Sequence, residues 1–308
     1  MTIEPPLDTP DNVSQKIVHI TLSGPPTREE LLAHYPAKFT WDQLKTFVNS
    51  GYLYFIINMN KTEDADSATL LRDLGLLKRD RALQKRYDAW SPGIVKEHGS
   101  MVNYLINHRL QWGQPDTLSL LPSALDSHTR PKDVPISPSK SNQSLPPLPP
   151  DAPEYFKSDI QDDSELISII QNDWPYSVPI EIEHTLIWSR VPVFHMDLIP
   201  AEIDARIQQD GLCGFTGNNK PPPSPSTLPE CLPALAEWGI TMENLVRSPR
   251  GSPEIEEMVR NAGREIDGFV KRRWVESEWE TAWFVNPPRL QSVRGLAHIH
   301  VFAKKKHL

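Results

Sequence analysis

The fold class is decided by SPEIEEMVRNAGREIDGFVKRR at residues 252–273, TAWFV at 281–285 and LAHIHVFA at 296–303. In the first stretch, Ser252 can cap a helix, Pro253 suits its first position, and apolar residues recur at helical spacing. The other two stretches are rich in β-branched and aromatic residues, which is typical of strands. Helix, strand, loop and strand therefore predict a small antiparallel sheet beside a long C-terminal helix.

Further elements are predicted upstream of this unit. EHTLIWSR at 183–190 has the composition of another strand of the sheet. TWDQ at 40–43 is a capping-box pattern that starts a helix. A longer helical region is predicted over 67–110, with a break at 91–93, and a short helix over 166–170. The result is an α+β fold in which N-terminal helices pack with a small antiparallel sheet and the long C-terminal helix.

The prolines divide the chain into regions of different expected order. The sequence holds 31 prolines against 14 glycines, and the prolines cluster. Pro/Ser-rich stretches bury too little apolar surface to offset the entropy lost on ordering. We therefore predict a flexible arm at 1–38, the helical part of one core domain at 39–112, and a disordered insert at 113–160. The sheet-containing part of the same domain is predicted at 161–308, with a flexible insert at 216–233.

Charge and composition argue against several classes of function. The formal net charge is −8, whereas nucleic-acid binding normally requires a positive surface. Two cysteines are too few for a disulfide scaffold or a thiolate zinc site, and no phosphate-binding glycine motif is present. The chain has neither a signal-peptide pattern nor an apolar stretch of membrane-spanning length. We therefore expect a cytoplasmic protein with no nucleic-acid or membrane partner and no bound cofactor or metal.

Two histidines near the C-terminus are the strongest candidates for catalytic residues. Alternate side chains of a strand share a face, so His298 and His300 point the same way. Imidazoles with pKa values near neutrality can serve as nucleophile and proton donor, or as metal ligands. The alternative is that both are buried strand residues whose nitrogens are satisfied by hydrogen bonds.

Other polar residues are candidates for binding a small phosphate or sugar ligand. His184 begins the predicted strand at 183–190 and could face the same pocket, or it could be structural. Asn172, Asp173 and Tyr176 form a turn that offers acceptors and an aromatic ring, or that only ends an element. Arg289 could bind a phosphate through paired donors, or it could form a surface ion pair.

Three blocks of sequence carry a resemblance to a known family. They are 87–112 (YDAWSPGIVKEHGSMVNYLINHRLQW), 172–188 (NDWPYSVPIEIEHTLIW) and 283–301 (WFVNPPRLQSVRGLAHIHV). Together, in this order, they resemble the fungal N-acetylglucosamine-induced protein family. The resemblance implies a cytosolic fungal protein connected with amino-sugar response or metabolism. It carries no catalytic residues with it.

The C-terminal region is also similar to the histidine-triad superfamily, in which a helix, a strand ending in Asn, a polar loop and a histidine-bearing strand follow one another. This similarity implies that His298 attacks the phosphate of a nucleotide substrate while Asn286, Ser292 and His300 position phosphate oxygens. Leu296 occupies the first histidine position, and the loop holds one additional residue. Two functions are thus open: a non-enzymatic or uncharacterised cytosolic factor, and a histidine-triad-like phosphate-ester hydrolase or transferase.

Overall fold

The computed structural model describes residues 24–50, 52–55, 73–74, 76–110, 112, 121–125, 147–160, 165–247, 249–287 and 296–306. Most of the predicted arm and most of the predicted insert at 113–160 lie outside these residues. The same holds for the first residues of the helical region predicted from residue 67. The α-helices among the described residues are α1 (Arg28–His34), α2 (Trp41–Asn49), α3 (Arg81–His98), α4 (Met101–Tyr104), α5 (Ala201–Asp210), α6 (Leu228–Cys231), α7 (Pro253–Ala262) and α8 (Arg264–Arg273). A π-helical turn, Leu105–Arg109, continues α4, and a 3-10 helix, Leu232–Trp238, continues α6.

The described strands form two sheets. They are β1 (Tyr52–Phe55), β2 (Asp73–Leu74), β3 (Ile167–Gln171), β4 (Ile182–Ser189), β5 (Leu212–Thr216), β6 (Leu245–Arg247), β7 (Trp279–Val285) and β8 (Ala297–Lys305). The main sheet has the order β3-β4-β8-β7-β5, and all its neighbouring strands are antiparallel. A smaller sheet has the order β2-β1-β6. The α+β class predicted from the sequence is confirmed.

The main sheet lies between two helical layers. On one face, Ile299 and Val301 pack with apolar residues of α5, α7 and α8. On the opposite face, Phe302 packs against α2 and α6, while Leu186 and Trp188 pack against the π-helical turn after α4. Both faces of the central strand β8 are therefore buried, and polar residues on either face require partners inside the protein.

The predicted long C-terminal helix is interrupted at Gly263, which separates α7 from α8. A Cβ atom at Gly263 would lie 2.7 Å from Cη2 of Trp283, closer than such atoms approach one another. The absence of a side chain thus allows the helical layer to approach the sheet closely at Trp283.

Two predictions about secondary structure are wrong. The helix predicted over 166–170 is strand β3, because its isoleucines alternate between two buried faces of the sheet. Such a strand has a continuous apolar sequence that resembles a buried helix. The break predicted at 91–93 is also wrong, since α3 continues through Pro92 and ends before Gly99. Gly99 has a φ of +78°, a conformation that glycine adopts without a Cβ clash.

Segments that composition assigned to flexible regions contribute side chains to the core. Leu31 of α1 is buried, as are Phe156, from the end of the predicted insert at 113–160, and Leu228 of α6. Phe156 packs edge-on against Phe269 of α8. These residues attach parts of the predicted arm and inserts to the folded unit, while the domain boundaries themselves stay predictions.

Candidate functional site

Three histidines meet on one face of the main sheet. His298 and His300 lie on β8, and His184 lies on the adjacent strand β4, where it is paired with Phe302. Only 3% of His184, 3% of His298 and 5% of His300 is exposed. The antiparallel register therefore places three imidazoles in contact inside the protein, although one comes from a strand 116 residues away in sequence.

A directional chain of hydrogen bonds joins two of these rings. The backbone N–H of Tyr176 donates to Nδ1 of His184 over 3.3 Å, so the proton of neutral His184 lies on Nε2. Nε2 of His184 is 3.1 Å from Nδ1 of His300, which must then accept. The proton of His300 consequently lies on Nε2, which faces the side-chain amide of Asn286 at 3.5 Å. The chain is complete when the oxygen of that amide, rather than its nitrogen, faces His300.

The third ring, His298, has a different tautomer. Its Nδ1 lies 3.2 Å from the carbonyl oxygen of Leu296 and donates its proton to that oxygen. Nε2 therefore carries a lone pair and no proton. Trp188 stacks on the ring at 4.5 Å. The packing and the carbonyl together hold one neutral tautomer that can act as a nucleophile or a base.

Burial keeps the whole cluster neutral. Desolvation lowers the pKa of His298 below its ordinary value. It lowers the pKa values of His184 and His300 well below the ordinary value, and in both cases His298 and Arg79 add a smaller effect in the same direction. Uncharged imidazoles at neutral pH are what the hydrogen-bond chain requires, because a protonated ring could not accept.

Because the three histidines are buried and neutral, we expect the free energy of unfolding to fall in mild acid. Below about pH 6.5 the unfolded chain binds protons on these histidines, whereas the folded chain, with its lowered pKa values, does not. Stability is thus fully present above about pH 6.5 and decreases as pH falls, by about 1.4 kcal/mol per pH unit for each such histidine. We expect urea unfolding of His300→Gln between pH 6.5 and 5 to show a shallower pH dependence than the wild type. Equal slopes in the two proteins would contradict a neutral, buried His300.

Aromatic rings surround the cluster, and of those described here only Tyr176 was a candidate from the sequence. Phe284 of β7 lies parallel to His300, with ring centroids 4.4 Å apart, and Tyr176 stacks on it at 5.8 Å. Trp188 could have been assigned from sequence, since it lies four residues after His184 and shares its face of the strand. The position of Phe284 depends on strand pairing, which no local pattern reveals.

The remaining candidates have different surroundings. Asn172 accepts a hydrogen bond from the backbone N–H of Trp174 through Oδ1 at 2.9 Å, and its Nδ2 lies 3.4 Å from Nδ1 of His184.

Asp173 forms a buried ion pair with Arg109. Both carboxylate oxygens accept hydrogen bonds from Arg109, at 2.7 and 2.8 Å, and both residues are buried. Burial opposes the charge of Arg109, but the hydrogen bonds and charge of Asp173 raise its pKa. Asp173 therefore anchors the turn to the π-helical turn after α4. Arg289 and Ser292 lie outside the described residues.

A cavity of about 310 Å³ borders the cluster. Its lining includes His184 and Tyr176, which both contact His300, together with Glu183 and residues 121–122. Its volume is at the lower end of the range for small-molecule sites.

Within the described part of the chain, no group of three or more His, Cys, Asp or Glu residues could hold a metal ion. The helices that the structure describes include none with the length and apolar character of a membrane span.

The fold and the site define an α+β protein with a buried, neutral histidine network on a five-stranded antiparallel sheet. The chain belongs to the family described as protein of unknown function (DUF3605), whose model matches residues 63–208 and 246–304. Both matched ranges contribute to the network, since the first contains His184 and the second contains His298 and His300. No curated protein and no solved structure matches the sequence.

Proposed function

We propose that the chain is a phosphate-ester hydrolase or transferase that acts on a nucleotide conjugate, with His298 as the nucleophile. The observation that carries this proposal is the tautomer of His298. Its Nδ1 proton is directed to the Leu296 carbonyl, which leaves Nε2 without a proton. A histidine nucleophile needs this state, because a proton on Nε2 would block attack on phosphorus.

The neighbouring groups suit the same chemistry. In the proposed step, Nε2 of His298 forms a bond to phosphorus while the bond from phosphorus to the leaving group breaks. The leaving group departs with the electron pair of that bond and takes a proton from solvent. Water then attacks the phosphorus of the phosphohistidine and loses a proton to solvent, while the P–N bond breaks with its electron pair returning to Nε2. This returns His298 to its neutral form and releases the phosphate product. Asn286, and Ser292 by resemblance to histidine-triad proteins, would donate hydrogen bonds to the phosphate oxygens, and His300 would position Asn286 through its Nε2 proton. Asn172 and Tyr176 would border the ligand through their contacts with His184.

A second function is supported by the same burial. The family resemblance suggests a cytosolic fungal factor in amino-sugar response, with no reaction of its own. The near-complete burial of the three histidines favours it, because a satisfied internal network can serve the fold alone. The cavity of about 310 Å³ beside His184 would then hold a sugar rather than a nucleotide.

Turnover of a nucleotide conjugate distinguishes these functions. We expect the full chain to release adenosine monophosphate from an adenosine 5′-phosphoramidate, followed by chromatography. Nucleotides should also raise the melting temperature, because a ligand that binds the folded state stabilises it by mass action. A melting temperature that rises with free amino sugars alone, without release of the monophosphate, would contradict the enzymatic proposal and support the factor.

A further inference from the structure

A short segment of the Pro/Ser-rich region closes the cavity beside His184. We call residues 121–125, with the sequence LPSAL, the strap. Leu121 packs on the cluster that contains Leu83 and Trp174, and Leu125 packs on the core cluster that contains Ile187 and Ile299. Leu121 and Pro122 also form part of the cavity lining. The strap therefore spans two apolar clusters and forms one wall of the cavity.

The carboxylate of Glu183 is hydrogen-bonded to the middle of the strap. The hydroxyl of Ser123 donates to Oε2 of Glu183 over 2.8 Å, and the backbone N–H of Ala124 donates to Oε1 over 2.6 Å. Hydrogen bonds to an ionised acceptor are about twice as strong as neutral ones. Glu183 lies on β4 immediately before His184, so its carboxylate projects from the opposite face of the strand to the imidazole, while both residues line the cavity.

The charge around this attachment is negative. Among the described residues, the cavity lining contains one cation, Arg28, and three carboxylates, Asp80, Glu181 and Glu183, so that its formal charge is −2. A hydroxyl at residue 123 is compatible with this charge because it donates a proton to Glu183. An anionic group in the same place would have no proton to donate and would be repelled by Glu183.

We propose that Ser123 is a phosphorylation site whose modification releases the strap and opens the cavity beside His184. In the modification, a kinase transfers the γ-phosphoryl group of ATP to Oγ of Ser123, forming the new P–O bond as ADP leaves with its electron pair. The hydroxyl proton passes to solvent. The product carries about −1.5 to −2 charges at neutral pH and three acceptor oxygens, directly against the Glu183 carboxylate. The two hydrogen bonds that attach the strap are then replaced by repulsion.

Hydrogen exchange of the full chain tests this release without reference to any reaction. The amide of Ala124 is the probe, since its N–H is bonded to Glu183. We expect Ser123→Asp to accelerate its exchange by about tenfold or more. Ser123→Asn, which has the same shape without the charge, should change it by less than about threefold. Ser123→Asp should also increase the fluorescence of an added apolar dye, because release of Leu121 uncovers the apolar lining.

The same exchange measurement in a Glu183→Gln variant tests whether Glu183 is the source of the repulsion. In a Glu183→Gln background the charge repulsion is absent, so Ser123→Asp should exchange no faster than Ser123→Asn in that background. Equal exchange of Ser123→Asp and Ser123→Asn in the natural background would overturn the proposal. So would an acceleration by Ser123→Asp that is undiminished in Glu183→Gln. Neither outcome bears on turnover at His298, and the two proposals can therefore fail separately.

Discussion

Replacing Asp173 with alanine is expected to lower the free energy of unfolding by about 3–5 kcal/mol, which is the usual effect of removing one partner of a buried ion pair. The carboxylate binds Arg109 through two hydrogen bonds, and both side chains are almost inaccessible to solvent. Without Asp173, the guanidinium stays buried with its charge uncompensated. Urea denaturation followed by tryptophan fluorescence measures the loss directly.

Two comparisons make this prediction specific. Glu257→Ala removes an exposed ion pair with Arg260 and should cost less than about 1 kcal/mol. The double variant Arg109→Met/Asp173→Leu removes both charges and should recover most of the stability lost in Asp173→Ala. A loss below about 1 kcal/mol for Asp173→Ala, combined with weaker ligand binding, would instead assign Asp173 to the ligand site.

Replacing His298 is expected to have a large effect on turnover. We expect His298→Asn to reduce turnover of the nucleotide conjugate by at least about 10³-fold, as loss of a nucleophile does in other enzymes. Asparagine can still donate from Nδ2 to the Leu296 carbonyl, so the local hydrogen bond is retained. The nucleophilic lone pair of Nε2 is lost. Rates of monophosphate release under saturating substrate provide the measurement.

A matched variant separates chemistry from packing. Ile299→Val lies on the same strand but on the opposite, helix-covered face, and it should cost about 0.5–1.5 kcal/mol with turnover unchanged. If His298→Asn retained wild-type turnover at a similar cost in stability, His298 would be a core residue. The phosphate-ester activity would then have to be assigned elsewhere or abandoned.

Local patterns predicted much of the sheet and one helix boundary. The alternation in LAHIHVFA placed His298 and His300 on one face of β8, and the strands TAWFV and EHTLIWSR are present as β7 and β4. The capping box at Thr40 and Gln43 is present at the start of α2, with both reciprocal hydrogen bonds. These features depend on neighbours within a few residues, and such neighbours are visible in the sequence.

Other features could not be predicted because their causes are distant along the chain. The isoleucines of β3 have the same composition as a buried helix, and only pairing with β4 makes them a strand. Arg109 and Asp173 are separated by 64 residues, so nothing near Asp173 in sequence indicated that its carboxylate was already occupied. The packing of the strap could not be predicted, because it lies in a Pro/Ser-rich stretch whose composition predicts disorder.

The sequence by itself determined the α+β class, the central histidine-bearing strand and the face on which its imidazoles lie, because strand alternation is a local property of the backbone. Only the tertiary structure decided that the histidines are buried, neutral and linked in a fixed tautomeric order. Those properties depend on desolvation and on hydrogen-bond partners. Strand pairing brings His184 to β8 from 116 residues away, and Tyr176, which lies before β4, donates to His184.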